Sequence, residues 1–538
     1  MNNKILNLLP IIIFIGAISL TAFLCITVQG NYAVNGNISW LLMGAERLLE
    51  GKTMVEHIYE PNPPMSLIIY IPHVIFSKLV GVSLPIGSFY ITLAFALLSI
   101  LASYQIIKRY SFLEKPEKLG FIACYAIAAT LTNVVFYSER EHIMLLAIVP
   151  FMLVQFALME KITLPKRLSI PVLIIGALGF LIKPHYGLVP TIFLLARIIK
   201  YRSINPIKHP DFLALSAMTL LYLGIVLTMF DDYIHTIFPD LLSYYIGSGQ
   251  NYLVVLQAST LQTLLYISVF LLEVFLGNHD NTRDRFIRFL YLCAILNLFP
   301  YYVQMKGYSN HLIPANSFFM IAICCSVMLR LTPFMKDKLK WKKTYTSSLS
   351  IIIPFICVFG ISNTLIPLNN DFPTHKDMRE LPVAKYLKQH CKQPCSFYAF
   401  HTDMEIMPST AALMEYEFAS RFGVLWTIPS MLEKMLSDDP EIRKNTLHNK
   451  ERYSRYLYED LEFYKPSLLL IAKDVLISIN NTHINFIDFF AEYEPLRSYI
   501  DANFVKGESF EYDRSQYFKG TTLDYPYTLY YDVYVRKE

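Results

Sequence analysis

Long uncharged apolar runs recur along the first 366 residues and then stop. Each run of about 18 or more is a candidate membrane span. About eleven spans are read from the pattern: 8–28, 84–107, 119–137, 143–160, 168–182, 186–199, 211–229, 258–277, 289–305, 312–330 and 347–366. The stretch Leu168–Ile199 is divided in two. One helix of its 32 residues would be roughly 48 Å long against a hydrocarbon core of about 30 Å. Its middle also carries Lys183-Pro184-His185-Tyr186-Gly187. A charge at the bilayer centre costs about 2.5–3.5 kcal/mol, and Pro and Gly break helices, so Lys183 is expected at a turn. Segment 63–82 is apolar but short and holds Pro63, Pro64, Pro72 and His73. It is read as a helix lying at the outer interface without crossing.

From about Asp371 the pattern becomes that of a soluble domain. Pro382–His390 and Arg452–Tyr464 read as helices, Ser396–Phe400 and Ser467–Ala472 as strands, and Tyr527–Tyr534 as a final strand or hairpin. The expected architecture is mainly α. Residues 1–370 form a polytopic transmembrane domain whose first outer loop, 29–83, carries juxtamembrane helices, and 371–538 form a small extracytoplasmic α/β domain.

Composition agrees with this division. The 538 residues are 54% hydrophobic, with mean hydropathy +0.37. Lys4 precedes an apolar run to about Val28, too long for a signal-peptide core and with no small-x-small cleavage site after it, so an uncleaved first helix is expected. The net charge of +4 comes from basic loops and gives no reason to expect a nucleic-acid partner.

Those loops set the sidedness. Segments 108–118, 161–167, 200–210, 278–288 and 331–346 hold Lys108, Arg109, Lys115, Lys118, Lys161, Lys166, Arg167, Lys200, Arg202, Lys208, Arg283, Arg285, Arg288, Lys336, Lys338, Lys340, Lys342 and Lys343. The opposite loops hold only Arg47, Lys52, Lys78, Arg140, Lys183 and Lys306. The first set is therefore cytoplasmic and the C-terminal domain lies outside. Of eight cysteines, six lie inside apolar spans, and only Cys391 and Cys395 stand close together in a polar segment. A local disulfide and two free thiols both stay open for that pair, and no second pair exists to complete a zinc site.

Five outward loops carry ionisable clusters. They are Glu56-His57-Ile58-Tyr59-Glu60-Pro61-Asn62-Pro63-Pro64, Ser138-Glu139-Arg140-Glu141-His142, Lys183-Pro184-His185, Asp231-Asp232-Tyr233-Ile234-His235 and Lys306-Gly307-Tyr308-Ser309-Asn310-His311. A charge at the end of a span is ordinarily just solvated there. Lys183 or Lys306 alone reads as a snorkelling anchor, and Asp231-Asp232 reads better as a loop pair than as a metal site. Together, all five place a cation or carboxylate within a few residues of a histidine at one membrane face, which points to a shared polar cavity. Lys183, Lys306, Arg140 and His185 suit a phosphate. Glu60, Glu139 or Glu141 suits removal of a proton from an attacking hydroxyl.

At these residues the chain resembles the GT-C superfamily of membrane glycosyltransferases, which includes protein O-mannosyltransferases and aminoarabinose transferases. The resemblance rests on Ala45-Glu46-Arg47-Leu48-Leu49-Glu50-Gly51, on Glu60-Pro61-Asn62-Pro63-Pro64, and on the order Arg140-Glu141-His142, Lys183-Pro184-His185, Lys306-Gly307 and His311. It covers roughly residues 8–330 and is nearest to an uncharacterised bacterial branch. It implies transfer of a sugar from a polyprenyl-phosphate donor to an envelope glycan, lipid or protein, in a bacterial inner membrane with a periplasmic C-terminal domain. It implies catalytic roles for Glu60, Glu141 and Glu139, and substrate binding by Asn37, Asn62, Arg140, His142, Lys183, His185, Lys306 and His311. These residues establish no cofactor, and a bridging divalent metal stays open. The superfamily usually carries an aspartate in the first outer loop, where this chain has Asn35 and Asn37. An amide is no general base, so either another acid serves, Glu60 first and Glu141 second, or the protein is an inactive relative that binds lipid-linked glycan or scaffolds envelope assembly.

Overall fold

A computed structural model describes residues 3–131, 136–246, 252–337, 345–353, 373–401, 404, 406–473, 475–477, 482–484, 486–490, 492–513 and 528–537. The chain divides into two compact units, each built from distant stretches of sequence. The first comprises Met1–Gly30, Phe89–Ile225 and Gln250–Leu368, and the second Asn31–Ser88, Val226–Gly249 and Asn369–Glu538. The first outer loop and the residues after the helix Pro210–Met229 thus cluster with the C-terminal residues.

The first unit is helical. Among the described residues six helical segments are long and apolar enough to cross a bilayer: Leu8–Gln29, Leu84–Ile107, Arg140–Met159, Pro210–Met229, Thr282–Gln304 and Ser309–Lys336. The chain is an integral membrane protein. All six coincide with expected spans; the other five expected spans are not among them. Lys115–Thr130, Lys166–Ile182 and Leu188–Tyr201 have 16, 17 and 14 residues. The helix Tyr252–Leu276 contains the apolar stretch Ser259–Phe275. Most of 347–366 lies outside the described residues.

Arg140–Met159 is the central helix, with 89% of its apolar window buried, against 11% for Leu8–Gln29 and Pro210–Met229. Glycines let Lys166–Ile182 approach it. A Cβ on Gly176 would lie 2.4 Å from Phe151 Cβ, and one on Gly179 would lie 2.6 Å from Ala147 Cβ, the small-residue contact common between membrane helices. As expected, Lys166–Ile182 ends at Lys183, and a 3₁₀ turn, Pro184–Gly187, leads into Leu188–Tyr201.

The basic segments also make specific ion pairs. Arg283 pairs with Glu117 at 3.0 Å and Arg285 with Glu160 at 2.6 Å. Arg197 and Asp211 form a buried pair, with Gln155 Nε2 donating to Asp211 Oδ2 at 3.2 Å. These contacts join residues far apart in sequence, which a count of charges per loop does not show.

The second unit is α/β. Its main sheet contains β1 (Ser396–Phe400), β2 (Glu417–Phe418), β3 (Leu468–Lys473), β6 (Phe504–Lys506), β7 (Phe510–Asp513) and β8 (Thr528–Arg536). A separate hairpin pairs β4 (Val475–Ile477) with β5 (Thr482–Ile484). In the main sheet the order is β2-β1-β3-β8-β6, with β7 also on β8. β1 runs parallel to β2 and β3, while β8 is antiparallel to β3, β6 and β7. Parallel strands require a crossover, and between β1 and β3 the chain forms the helix Pro440–Tyr464. The strands and helices expected at 382–390, 396–400, 452–464, 467–472 and 527–534 are present within a residue or two, the second helix being longer than expected. The sequon Asn480-Asn481-Thr482 falls largely outside the described residues.

The first outer loop is ordered by specific local devices. Asn35 Oδ1 accepts from Ile38 N at 2.9 Å and caps the helix Gly36–Leu49. Segment 63–82 forms two short helices, Met65–Ile68 and Ile71–Val80, the second closed by Gly81 in the left-handed conformation (φ 71°). The two lie in one apolar stretch, Met65–Val80, shorter than the 18 residues of a span candidate. Cys391 and Cys395 are joined by a disulfide.

Candidate functional site

Three of the five polar loops meet inside the first unit. The turn before the helix Arg140–Met159 holds Ser138 at φ 69°, a left-handed conformation that costs a residue with a side chain energy. Its amide donates to His142 Nδ1 at 3.2 Å, and its hydroxyl shares a hydrogen bond with Thr92 at 2.8 Å. That turn sets Glu139, Arg140 and Glu141 at the helix start, where they are at most 5% exposed.

Glu141 is fully buried, and Lys183 forms an ion pair with its Oε1. His311 Nε2 lies 3.5 Å from the same oxygen. Glu141 Oε2 and His311 Nδ1 have no hydrogen-bond partner among the described residues. Arg140 Nε stands 3.4 Å from Glu139 Oε1. Tyr186, next to the Lys-Pro-His turn, donates its hydroxyl to the carbonyl of His311 at 2.8 Å and so ties the third loop to the fifth. His185 Nε2 lies 2.9 Å from Gln304 Nε2. Burial, and then the Lys183 ammonium, push the His185 imidazole down to about 4, so the ring is neutral at pH 7. Lys306 is also buried, and burial lowers its ammonium to about 8.

His142 does not belong to this group. Its Nδ1 accepts from Ser138 and its Nε2 lies 2.7 Å from the carbonyl of Ala129, so both ring nitrogens serve the backbone. In that position the ring braces the turn.

The first and fourth loops meet in the second unit. Trp40 Nε1–H donates to Glu60 Oε2 at 2.8 Å, and the Asn62 amide donates to Glu60 Oε1 at 2.9 Å. The Asn62 side-chain amide donates to that same oxygen. Glu60 is 2% exposed. Both its oxygens are thus held by donors, and the carboxylate folds the Glu-Pro-Asn-Pro-Pro turn onto the helix Gly36–Leu49. Asn37 lies in the first turn of that helix, but it is Asn35 that caps it. Val55 N donates to Asp232 Oδ2 at 3.1 Å, and Tyr233 donates to the carbonyl of Pro61 at 3.2 Å. Asp231 and His235 form an exposed pair at 3.1 Å and join no cluster.

Sequence reasoning missed several residues of the second unit. Asp240 is 4% exposed and accepts from the hydroxyls of Tyr59 and Tyr453 and from Arg452 at 2.6 Å. Arg47 donates to the carbonyls of His57 at 2.7 Å, Ser420 at 2.7 Å and Phe418. Arg421 pairs with buried Asp460 at 2.7 Å. Burial raises the Asp460 carboxyl to about 6 despite that partner. A lone acid beside a proline, as in Phe238-Pro239-Asp240, was the available signal, and its partners lie up to 213 positions away. A cavity of about 450 Å³ in this unit, lined by Lys473, Ser509, Phe510, Glu511, Tyr530 and Asp532 among others, contains none of the expected site residues. Among the described residues no three His, Cys, Asp or Glu side chains are grouped to hold a metal ion.

No family model matches the sequence, and no curated protein matches it. Among solved structures the chain is similar to ArnT from Cupriavidus metallidurans bound to undecaprenyl phosphate. That match has 12% identity and a TM-score of 0.43 and covers 76% of this chain and 85% of that one. The same protein in its apo state matches at 11% identity and a TM-score of 0.45, over 76% of this chain and 84% of that one. The Archaeoglobus fulgidus oligosaccharyltransferase in complex with zinc and sulfate matches at 10% identity and a TM-score of 0.39, over 84% of this chain and 67% of that one.

Proposed function

We propose that this protein is an integral membrane glycosyltransferase that moves a sugar from a polyprenyl-phosphate donor to an envelope glycan, lipid or protein on the outer face of a bacterial inner membrane. The observation that carries the reading is the buried meeting of Glu141, Lys183 and His311 from three separate loops. A buried carboxylate with one oxygen unpartnered, flanked by cations, is costly to keep as a purely structural feature. It suits a site that receives an anion and a proton.

The chemistry follows from the charges. Lys183, Arg140 and the start of the helix Arg140–Met159 attract a phosphate, and Lys306 adds a cation on the loop that carries His311. The acceptor hydroxyl attacks the sugar's anomeric carbon, a new C–O bond forms, and the bond from that carbon to the phosphate oxygen breaks. The phosphate leaves as polyprenyl phosphate, and Glu141 Oε2 takes the hydroxyl proton. Sequence reasoning placed Glu60 first for that task. With both Glu60 oxygens held by Trp40 and Asn62, Glu141 now takes the role and Glu60 holds the first outer loop. Glu139 beside Arg140 orients the guanidinium.

The test is transfer from a panel of polyprenyl-phosphate sugars by protein in nanodiscs. Wild type is expected to release polyprenyl phosphate from at least one donor, and Glu141→Gln to lower kcat by about 10²–10⁴, the usual range for a lost general base. Turnover unchanged in Glu141→Gln would sink the assignment. Asn35, used as a helix cap where the superfamily carries an acid, favours a second reading, an inactive relative that binds lipid-linked glycan. Binding without turnover across the panel selects that second reading.

A further inference from the structure

Lys183 and Glu141 each have a task in the proposed reaction, and the structure shows them occupied with each other. The Lys183 ammonium is paired to Glu141 Oε1, which His311 Nε2 also approaches at 3.5 Å, and Lys183 and His311 are each at most 5% exposed. An ammonium held on a buried carboxylate is not available to a phosphate. A carboxylate neutralised by an ammonium is a poor proton acceptor. We propose that the pair is a latch opened by the phosphate itself: the incoming phosphate takes Lys183 from Glu141, and the released carboxylate, still beside His311, becomes the acceptor of the hydroxyl proton. This inference rests on the phosphate-site reading above and adds to it an order of events.

Three features allow the exchange. Lys183 stands where one helix has ended, at φ −137° and ψ 93°, with Pro184 opening the following 3₁₀ turn, so its four-carbon chain can swing without unwinding a helix. Replacing one anion by another beside Lys183 avoids leaving a buried cation alone, which is the step that makes breaking a buried pair expensive. His311 gives Glu141 a second partner after the lysine departs, and its backbone is anchored through Tyr186. An empty site therefore keeps its base masked, and the carboxylate is uncovered only once the donor's phosphate is seated.

The experiment measures binding of undecaprenyl phosphate, and separately of inorganic phosphate, to the full-length protein in nanodiscs. The variants are Glu141→Gln, Lys183→Met, Lys183→Arg and the double variant Glu141→Gln/Lys183→Met. A latch predicts that Glu141→Gln binds undecaprenyl phosphate about tenfold more tightly than wild type, because the lysine no longer has to be won from a carboxylate. Lys183→Met is expected to weaken binding at least tenfold, and the double variant to match Lys183→Met, since the gain acts through the lysine. Lys183→Arg keeps the charge and is expected to retain binding, which separates loss of a cation from loss of fold. Glu141→Gln binding no tighter than wild type, with Lys183→Met still weak, overturns the latch and leaves the phosphate site standing. Lys183→Met binding as wild type does overturns the phosphate site itself. A Glu141→Gln gain with inorganic phosphate alone overturns the lipid as the source of the anion.

Discussion

Glu60 and Glu141 are both glutamates in polar segments within a few residues of a histidine, and they end in different chemical states. Glu60 accepts from Trp40 and Asn62 through both oxygens, whereas Glu141 keeps one oxygen without a partner. Trp40→Phe removes the donor to Glu60 Oε2 and leaves a buried acceptor unsatisfied. The expected cost is about 1–3 kcal/mol of stability, read as a lower unfolding temperature, with transfer by the folded fraction intact. Lys306 supplies the pH prediction. Its ammonium titrates at about 8, and only the protonated form attracts phosphate. The favourable term is therefore full well below pH 8 and fades as pH rises through it. Affinity of the empty site for undecaprenyl phosphate should fall between pH 7 and 9, and Lys306→Arg, whose guanidinium stays charged, should flatten that fall. An equal fall in the arginine variant would assign the titration elsewhere. The sequence showed Glu60, Glu141, Lys183 and Lys306 as candidates because each stands out against apolar surroundings. It did not rank them, since rank depends on which donors fold onto each carboxylate.

Helix by helix, the local signals were legible. The break at Lys183-Pro184, the short helices of segment 63–82 and the strands of the C-terminal residues all carry Pro, Gly or alternation marks that act within a few residues. Packing between helices carries no such mark. Gly176 reads only as one more small residue in an apolar run, yet a Cβ there would press on Phe151 at 2.4 Å. Gly176→Ala is expected to destabilise by about 1–3 kcal/mol through overpacking. The double variant Gly176→Ala/Phe151→Gly, which removes the Phe151 Cβ as well, should cost less than the sum of the two single losses, a coupling that thermal unfolding in detergent would reveal as non-additivity. Additive losses would mean that the two helices do not meet there. The arginines of 278–288 show the same limit: as charges they indicate a side, whereas their partners Glu117 and Glu160 belong to other helices.

At the scale of the molecule, sidedness is the property on which the function depends. The C-terminal residues contain the Cys391–Cys395 disulfide, which needs an oxidising compartment to persist. A cysteine introduced at exposed Lys444 should react with a membrane-impermeant maleimide in intact spheroplasts. Reaction only after lysis would put the second unit in the cytosol and end the proposed outer-face transfer. Replacing both bridge cysteines by serine should cost about 2 kcal/mol, the chain-entropy value for so short a loop, measured as a lower unfolding temperature.

The amino-acid order alone determined that the chain lives in a membrane, where most helices begin and end, and that its C-terminal residues form an α/β unit. Those properties follow from hydropathy, periodicity and helix breakers, which act along a few turns of chain. Only the tertiary structure decided that residues 31–88 and 226–249 cluster with the C-terminal unit. It also decided that Glu141, Lys183 and His311 meet while Glu60 serves a turn. The physical reason is range. A buried charge takes its character from the groups that replace water around it, and for Glu141 those groups lie 42 residues away at Lys183 and farther still at His311.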